Sequence, residues 1–186
     1  MSKPYVIGIA GGSASGKSTF SEKLKAALVG HNVTIIHMDN YFKPKNQRPH
    51  VKAPITGKVY MDDNHPETMD LPKLRRDLSV AVAEAKSDII IVEGILTLYD
   101  DEICKYLILK LYIECRPDER IVRRLKRNMQ WGLTFDEISN VYLDMVRYRH
   151  DEYVEASKWK ADLILNGSSF SKKALEAIVQ AIKLEV

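Results

Sequence analysis

The run Gly11-Gly12-Ser13-Ala14-Ser15-Gly16-Lys17-Ser18 satisfies G-x-x-x-x-G-K-S/T, the spacing that wraps a phosphate chain. Glycines at 11, 12 and 16 let the backbone turn tightly, so successive N–H groups point inward at phosphate oxygens. Lys17 is placed to bridge the β- and γ-phosphates and the Ser18 hydroxyl to hold Mg²⁺, with Thr19 next in line. Such a loop must be entered by a strand and left by a helix. Val6 to Ala10 supplies the apolar strand and Ser18 to Leu28 the amphipathic helix, whose dipole adds positive potential at the loop. Residues 11–19 are therefore expected to bind a nucleoside triphosphate.

The remaining chemistry separates a kinase from other users of this loop. No glycine has an Asp three residues before it, and no asparagine is followed by Lys, so the D-x-x-G and N-K-x-D elements of GTPases are missing. The chain is also short for an ATP motor with accessory modules. A kinase needs a carboxylate for the acceptor hydroxyl, a metal ligand, and cations for the migrating phosphoryl group. Asp39 follows the second strand in HMDNYF, where carboxyl ends of parallel strands converge on the ligand crevice. Glu93 closes the apolar run DIIIV, a position costly for a carboxylate unless it coordinates metal or water. Arg120, Arg123, Arg124 and Arg127 lie on one helical stretch, with 120, 124 and 127 on one face, as a lid over a triphosphate requires.

These residues need a scaffold, and the hydrophobic pattern provides one. Strands are expected at 4–10, 33–38, 88–92, 108–114 and 162–165, and helices at 17–29, 70–85, 117–130, 134–149 and 171–184. Near-continuous apolar strands alternating with helices predict a doubly wound, five-stranded parallel α/β sheet covered on both faces, in one domain spanning 1–186. Residues 43–67 show no periodicity and read as a functional acceptor-side loop; about 117–133 read as the lid.

GIAGGSASGKST, the Asp-Asn-Tyr-Phe run at 39–42, NHPETMDL at 64–71, IIIVEGIL at 89–96, ERIVRRLKRN at 119–128 and KWKADLIL at 158–165 together resemble the uridine kinase family. That family belongs to the group that also contains phosphoribulokinase and nicotinamide riboside kinase. The resemblance implies the P-loop kinase fold and transfer from ATP to a nucleoside hydroxyl, the 5′-hydroxyl of uridine or cytidine first. It puts the catalytic base on Asp39, the Mg²⁺ environment on Ser18, Asp39 and Glu93, and lid arginines on Arg124 and Arg127. Acceptor positions fall on Tyr41, Asn64, His65 and Asn140, and Asp39 faces the acceptor as well. The chain departs from the pattern in three places. Asn64 stands where the family has Asp before His-Pro, with Asp62 and Asp63 adjacent, and Asp63 joins the acceptor-side candidates. The Y-D-F segment that frames the pyrimidine is missing between Leu78 and Asp88. The R-G-R after the lid helix reads Trp131-Gly132-Leu133. A pyridine riboside or a sugar phosphate is the alternative acceptor.

Composition closes off other classes. The 186 residues are 45% apolar and 28% charged, ordinary for one globular domain. Two cysteines make no disulfide framework, and no apolar run approaches the about 18 residues of a membrane span. The opening MSKPYVIGIAGG lacks a signal-peptide core, so a cytoplasmic setting is expected. The net charge of +3 conceals two basic patches, at 43–58 and 116–127, on an otherwise acidic chain. They suit a phosphate-bearing ligand. The alternative from another class is a nucleotide-dependent module binding nucleic acid through 43–58, but the interleaved aromatics of single-strand binders are lacking there. The expected partners are ATP, Mg²⁺ and a small acceptor, with neither nucleic acid nor membrane; a homo-oligomer is compatible. His37 reads as a strand-end histidine, Cys115 as packing, and Trp131 and Trp159 as packing rather than base stacking.

Overall fold

The computed structural model describes residues 3–186. Its centre is a five-stranded parallel sheet: β1 (Tyr5–Gly11), β2 (Val33–His37), β5 (Ile89–Glu93), β6 (Leu109–Glu114) and β7 (Leu163–Asn166), in the spatial order β2-β5-β1-β6-β7. The expected strands match these within a residue or so at each end. Helices α1 (Lys17–Ala27) and α7 (Lys172–Lys183) cover one face. On the other lie α2 (Leu71–Glu84) and the short α3 (Asp101–Cys104).

Alternation along the strands decides what faces where. Ile7 and Ile9 of β1, and Ile89 and Ile91 of β5, pack against Phe20 and Leu24 of α1 and Leu175, Ile178 and Ile182 of α7. Val6, Ala10, Ile90 and Val92 pack on the opposite side against Leu74 and Leu78 of α2. The α7 residues recur at helical spacing, and burying each stabilises the fold by roughly 2 kcal/mol. This alternation turns Glu93 toward the α1 face, and in-register pairing puts His37 beside it.

Two features go beyond the periodicity. The segment 43–67 carries a small antiparallel hairpin, β3 (His50–Lys52) and β4 (Val59–Met61), too short and too polar to announce itself. The expected helix at 134–149 runs on to Lys160. It begins as α5 (Phe135–Val141), then passes through π-helical turns at Tyr142–Val146 and His150–Val154 around α6 (Arg147–Arg149). Before it lies α4 (Pro117–Met129), the arginine helix.

Candidate active site

Gly16 starts α1 with φ of +97°, a conformation glycine adopts freely, and Ala14 is also left-handed, at +64°. That local geometry makes the concave backbone turn before α1. Lys17 is only 7% exposed at its base. Ser18 Oγ lies 3.2 and 3.1 Å from the two carboxylate oxygens of Glu93, which is 3% exposed. His37 Nδ1 lies 2.8 Å from Oε1 of the same carboxylate. The sequence placed His37 merely at a strand end; parallel register brings it onto Glu93.

Helix α4 is already seated on the loop. Arg124 Nη1 and Arg127 Nη2 each donate to Ser13 Oγ at 3.2 Å. Arg123 donates to the carbonyls of Gly167 at 2.8 Å and Ser168 at 3.2 Å, tying the helix to the end of β7. Arg120 differs from the expectation of one lid face. It is 5% exposed, its Nε donates to Cys115 O at 3.1 Å, and its guanidinium sits so close to Gly12 that a Cβ there would lie 2.5 Å from Nη1. Arg120 thus supports the loop from behind.

A cavity of about 630 Å³ opens from the loop toward the hairpin. Ser13, Lys17, Ser18, Asp39, Arg124 and Arg127 line it together with Phe42, Arg48, Tyr60, Asp63, Asn64 and Trp131, and the Arg127 guanidinium lies 5.0 Å from the centre of the Trp131 ring. Tyr41, His65 and Asn140 are not among its lining residues. Tyr41 Oη instead donates to Asp77 on α2 at 2.9 Å, and burial with that bond pushes the phenol up to about 12. His65 Nδ1 accepts the Glu67 N–H, and its ring meets Tyr153 edge-on at 5.4 Å. Asn140 is exposed on α5. Of the four acceptor positions implied by the resemblance, Asn64 lines the cavity with Asp39, while Tyr41 shares the helical turn of Asp39 at Met38–Tyr41 without lining the cavity.

On the other side of the loop is a cavity of about 260 Å³, bounded by Ser15, Thr19, Lys23, Arg123, Gly167 and Phe170. Sequence reasoning missed this half. The available signal was Asn166-Gly167 at the carboxyl end of a parallel strand, where such sheets bind ligands.

The sequence profile of the Phosphoribulokinase / Uridine kinase family matches residues 6–79 and 64–173. The chain belongs to that family. A uridine kinase of Deinococcus deserti is 28% identical over 99% of this chain and 98% of its own. One of Bacillus anthracis (strain CDC 684 / NRRL 3495) is 30% identical over 97% and 93%. In fold, the structure titled as that of a possible uridine kinase from Bacillus stearothermophilus has a TM-score of 0.61 at 20% identity, covering 89% of this chain and 90% of that one. Family membership makes the protein an ATP-dependent kinase.

The electrostatics of this kinase site anticipate a polyanion. Burial holds the Lys17 ammonium below its ordinary pKa; Glu93 and Asp39 pull it back up, and Arg127 pushes it further down. Burial also lowers Arg124, with Arg127 adding repulsion, and lowers Arg127 itself. Three desolvated cations lining one cavity repel one another until phosphate oxygens arrive. The donors near Ser18 fit a hard divalent cation: a hydroxyl and a buried carboxylate with no Lys or Arg ion pair among the described residues. No cluster of three His, Cys, Asp or Glu side chains poised for a metal occurs among those residues, so any Mg²⁺ there would draw on the Ser18 hydroxyl and on phosphate and water oxygens. No helix of the described residues is long and apolar enough to cross a membrane.

Proposed function

We propose that this kinase transfers the γ-phosphoryl group of ATP to a hydroxyl of an uncharged nucleoside, with the 5′-hydroxyl of uridine or cytidine as the first candidate. The observation that carries this reading is one cavity lined both by Lys17, Asp39, Arg124 and Arg127 and by aromatic and hydrogen-bonding groups. Trp131, expected to pack, is instead 68% exposed; it and Tyr60 suit a planar base, and Asp63 and Asn64 suit ribose hydroxyls. The uridine kinases to which the chain is similar support the same acceptor class.

A phosphorylated acceptor is disfavoured by the state of Arg48. Its Nη1 donates to Asp63 at 2.8 Å and its Nε to the Lys43 carbonyl at 2.7 Å. Lys43, Lys45, Lys52 and Lys58, the rest of that basic patch, do not line the cavity. Among the described residues, the cavity is lined by no unpaired cation besides Lys17, Arg124 and Arg127 for a second phosphate.

In this reading Asp39 accepts the proton of the attacking hydroxyl as the new P–O bond forms, leaving ADP. Arg124, Arg127 and Lys17 stabilise charge on the migrating group, and the seat of the two arginines against Ser13 keeps them pre-aimed. Ser18 and Glu93 would hold Mg²⁺, which neutralises the phosphates when bound. The smaller cavity, across Thr19 and Phe170, takes the adenine end.

An ADP-release assay over uridine, cytidine, a pyridine riboside and several sugar phosphates tests the acceptor. Turnover is expected with at least one nucleoside; turnover with sugar phosphates alone contradicts the reading.

A further inference from the structure

We propose that His37 is a positioning residue: its Nδ1–H donates to Glu93 and fixes the carboxylate against the Ser18 hydroxyl. The inference rests on the placement of Ser18 and Glu93 at the metal-nucleotide site.

Glu93 is 3% exposed, and its neighbours determine its orientation. Oε1 is shared between Ser18 Oγ at 3.2 Å and His37 Nδ1 at 2.8 Å, while among the described residues Oε2 bonds to Ser18 alone, at 3.1 Å. An ionised carboxylate offers acceptors alone, so this bond requires the proton on Nδ1 and fixes the tautomer. Nε2 then turns to Glu22 of α1, 3.8 Å away at the solvent edge. The contact is built into the sheet: His37 and Glu93 are paired residues of adjacent parallel strands, and their side chains leave on one face. Without His37, Ser18 alone would orient Glu93, and the carboxylate could rotate away from any cation at the hydroxyl. Groups that orient a metal-binding carboxylate commonly govern metal affinity by about 10–100-fold.

Three substitutions separate orientation from bulk. His37→Asn can present an amide N–H near the Nδ1 position; His37→Gln places it nearer Nε2; His37→Phe keeps a ring and removes the donor. With wild-type phosphoryl transfer established first, the Mg²⁺ concentration giving half-maximal rate is expected to rise about tenfold in His37→Phe and His37→Gln. It should return toward wild type in His37→Asn, with the acceptor KM unchanged in all three. The thermal shift given by ATP should show the same Mg²⁺ displacement, independently of turnover. A wild-type Mg²⁺ response in His37→Phe overturns the proposal. Failure of the wild type itself to transfer phosphoryl would instead overturn the functional reading beneath it. Ring-nitrogen chemical shifts of His37 in the unmodified protein decide the case without any variant: a protonated Nδ1 is expected, and a neutral ring protonated only at Nε2 overturns it.

Discussion

Arg149 Nε lies 2.6 Å from Oδ2 of Asp62, a carboxylate with no exposed surface. The other oxygen of Asp62 accepts the Asn64 N–H at 3.0 Å, so the ion pair sets the backbone that presents Asp63 and Asn64 to the cavity. One helical turn earlier, Asp144 accepts from Thr56 and Tyr60 of the hairpin region. The long helical segment thus holds the acceptor-side loop at two carboxylates. Removing one partner of a buried pair leaves an uncompensated charge. Arg149→Met should cost about 3 kcal/mol of stability in denaturant unfolding. Its acceptor KM should rise about tenfold, a 1.4 kcal/mol loss, while the ATP KM holds. An unchanged unfolding midpoint would contradict this role.

Asp39 stands exposed after β2, in the cavity that holds Lys17 and Arg127. Asp39→Asn keeps the shape and removes the proton acceptor. A fall in kcat of about 10²–10⁴ is expected, with ATP binding by calorimetry nearly intact. Turnover close to wild type would remove Asp39 from the base role.

The arginines of α4 should divide by position. Arg127→Ala removes a donor aimed at the phosphate end and should lower kcat by about 10²–10³ with little change in melting temperature. Arg120→Met takes away the group packed beneath Gly12 and bonded to Cys115 O, so its main effect should be a lower melting temperature. Steady-state kinetics and thermal unfolding of the two variants together check the division.

His150 supplies a pH dependence of stability. Burial lowers its pKa to about 4, helped by Arg120 and Lys158 and opposed by Glu155. The native ring is neutral where the unfolded chain, near 6.5, takes up a proton. The unfolded state therefore binds more protons between about pH 6.5 and pH 4, and stability falls as pH drops through that window. The loss attributable to His150 is roughly 3 kcal/mol across it. Unfolding free energies of wild type and His150→Gln, measured at several pH values, should converge toward pH 4; parallel curves would refute the assignment.

The five strands and the phosphate loop were legible because both are local. Apolar runs such as IIIV declare a buried strand, and G-K-S at the start of a helix fixes Lys17 and Ser18 regardless of the rest. The pairing of His37 with Glu93 was not legible, since 56 residues separate them and only strand register brings them together. Arg120 could not be told from Arg124 by helical spacing; the difference is whether the side chain points under Gly12 or toward Ser13. The acceptor side was least readable. Its order comes from tertiary ties, such as Arg149 to Asp62 and Asp144 to Thr56, rather than from any repeat in 43–67.

Phosphorus NMR of the wild-type protein with ATP, Mg²⁺ and uridine or cytidine bears most directly on the central claim. A phosphomonoester resonance should grow in equal measure with ADP, and Asp39→Asn should suppress both. Intact ATP with every nucleoside, or orthophosphate in place of a phosphomonoester, would contradict the account.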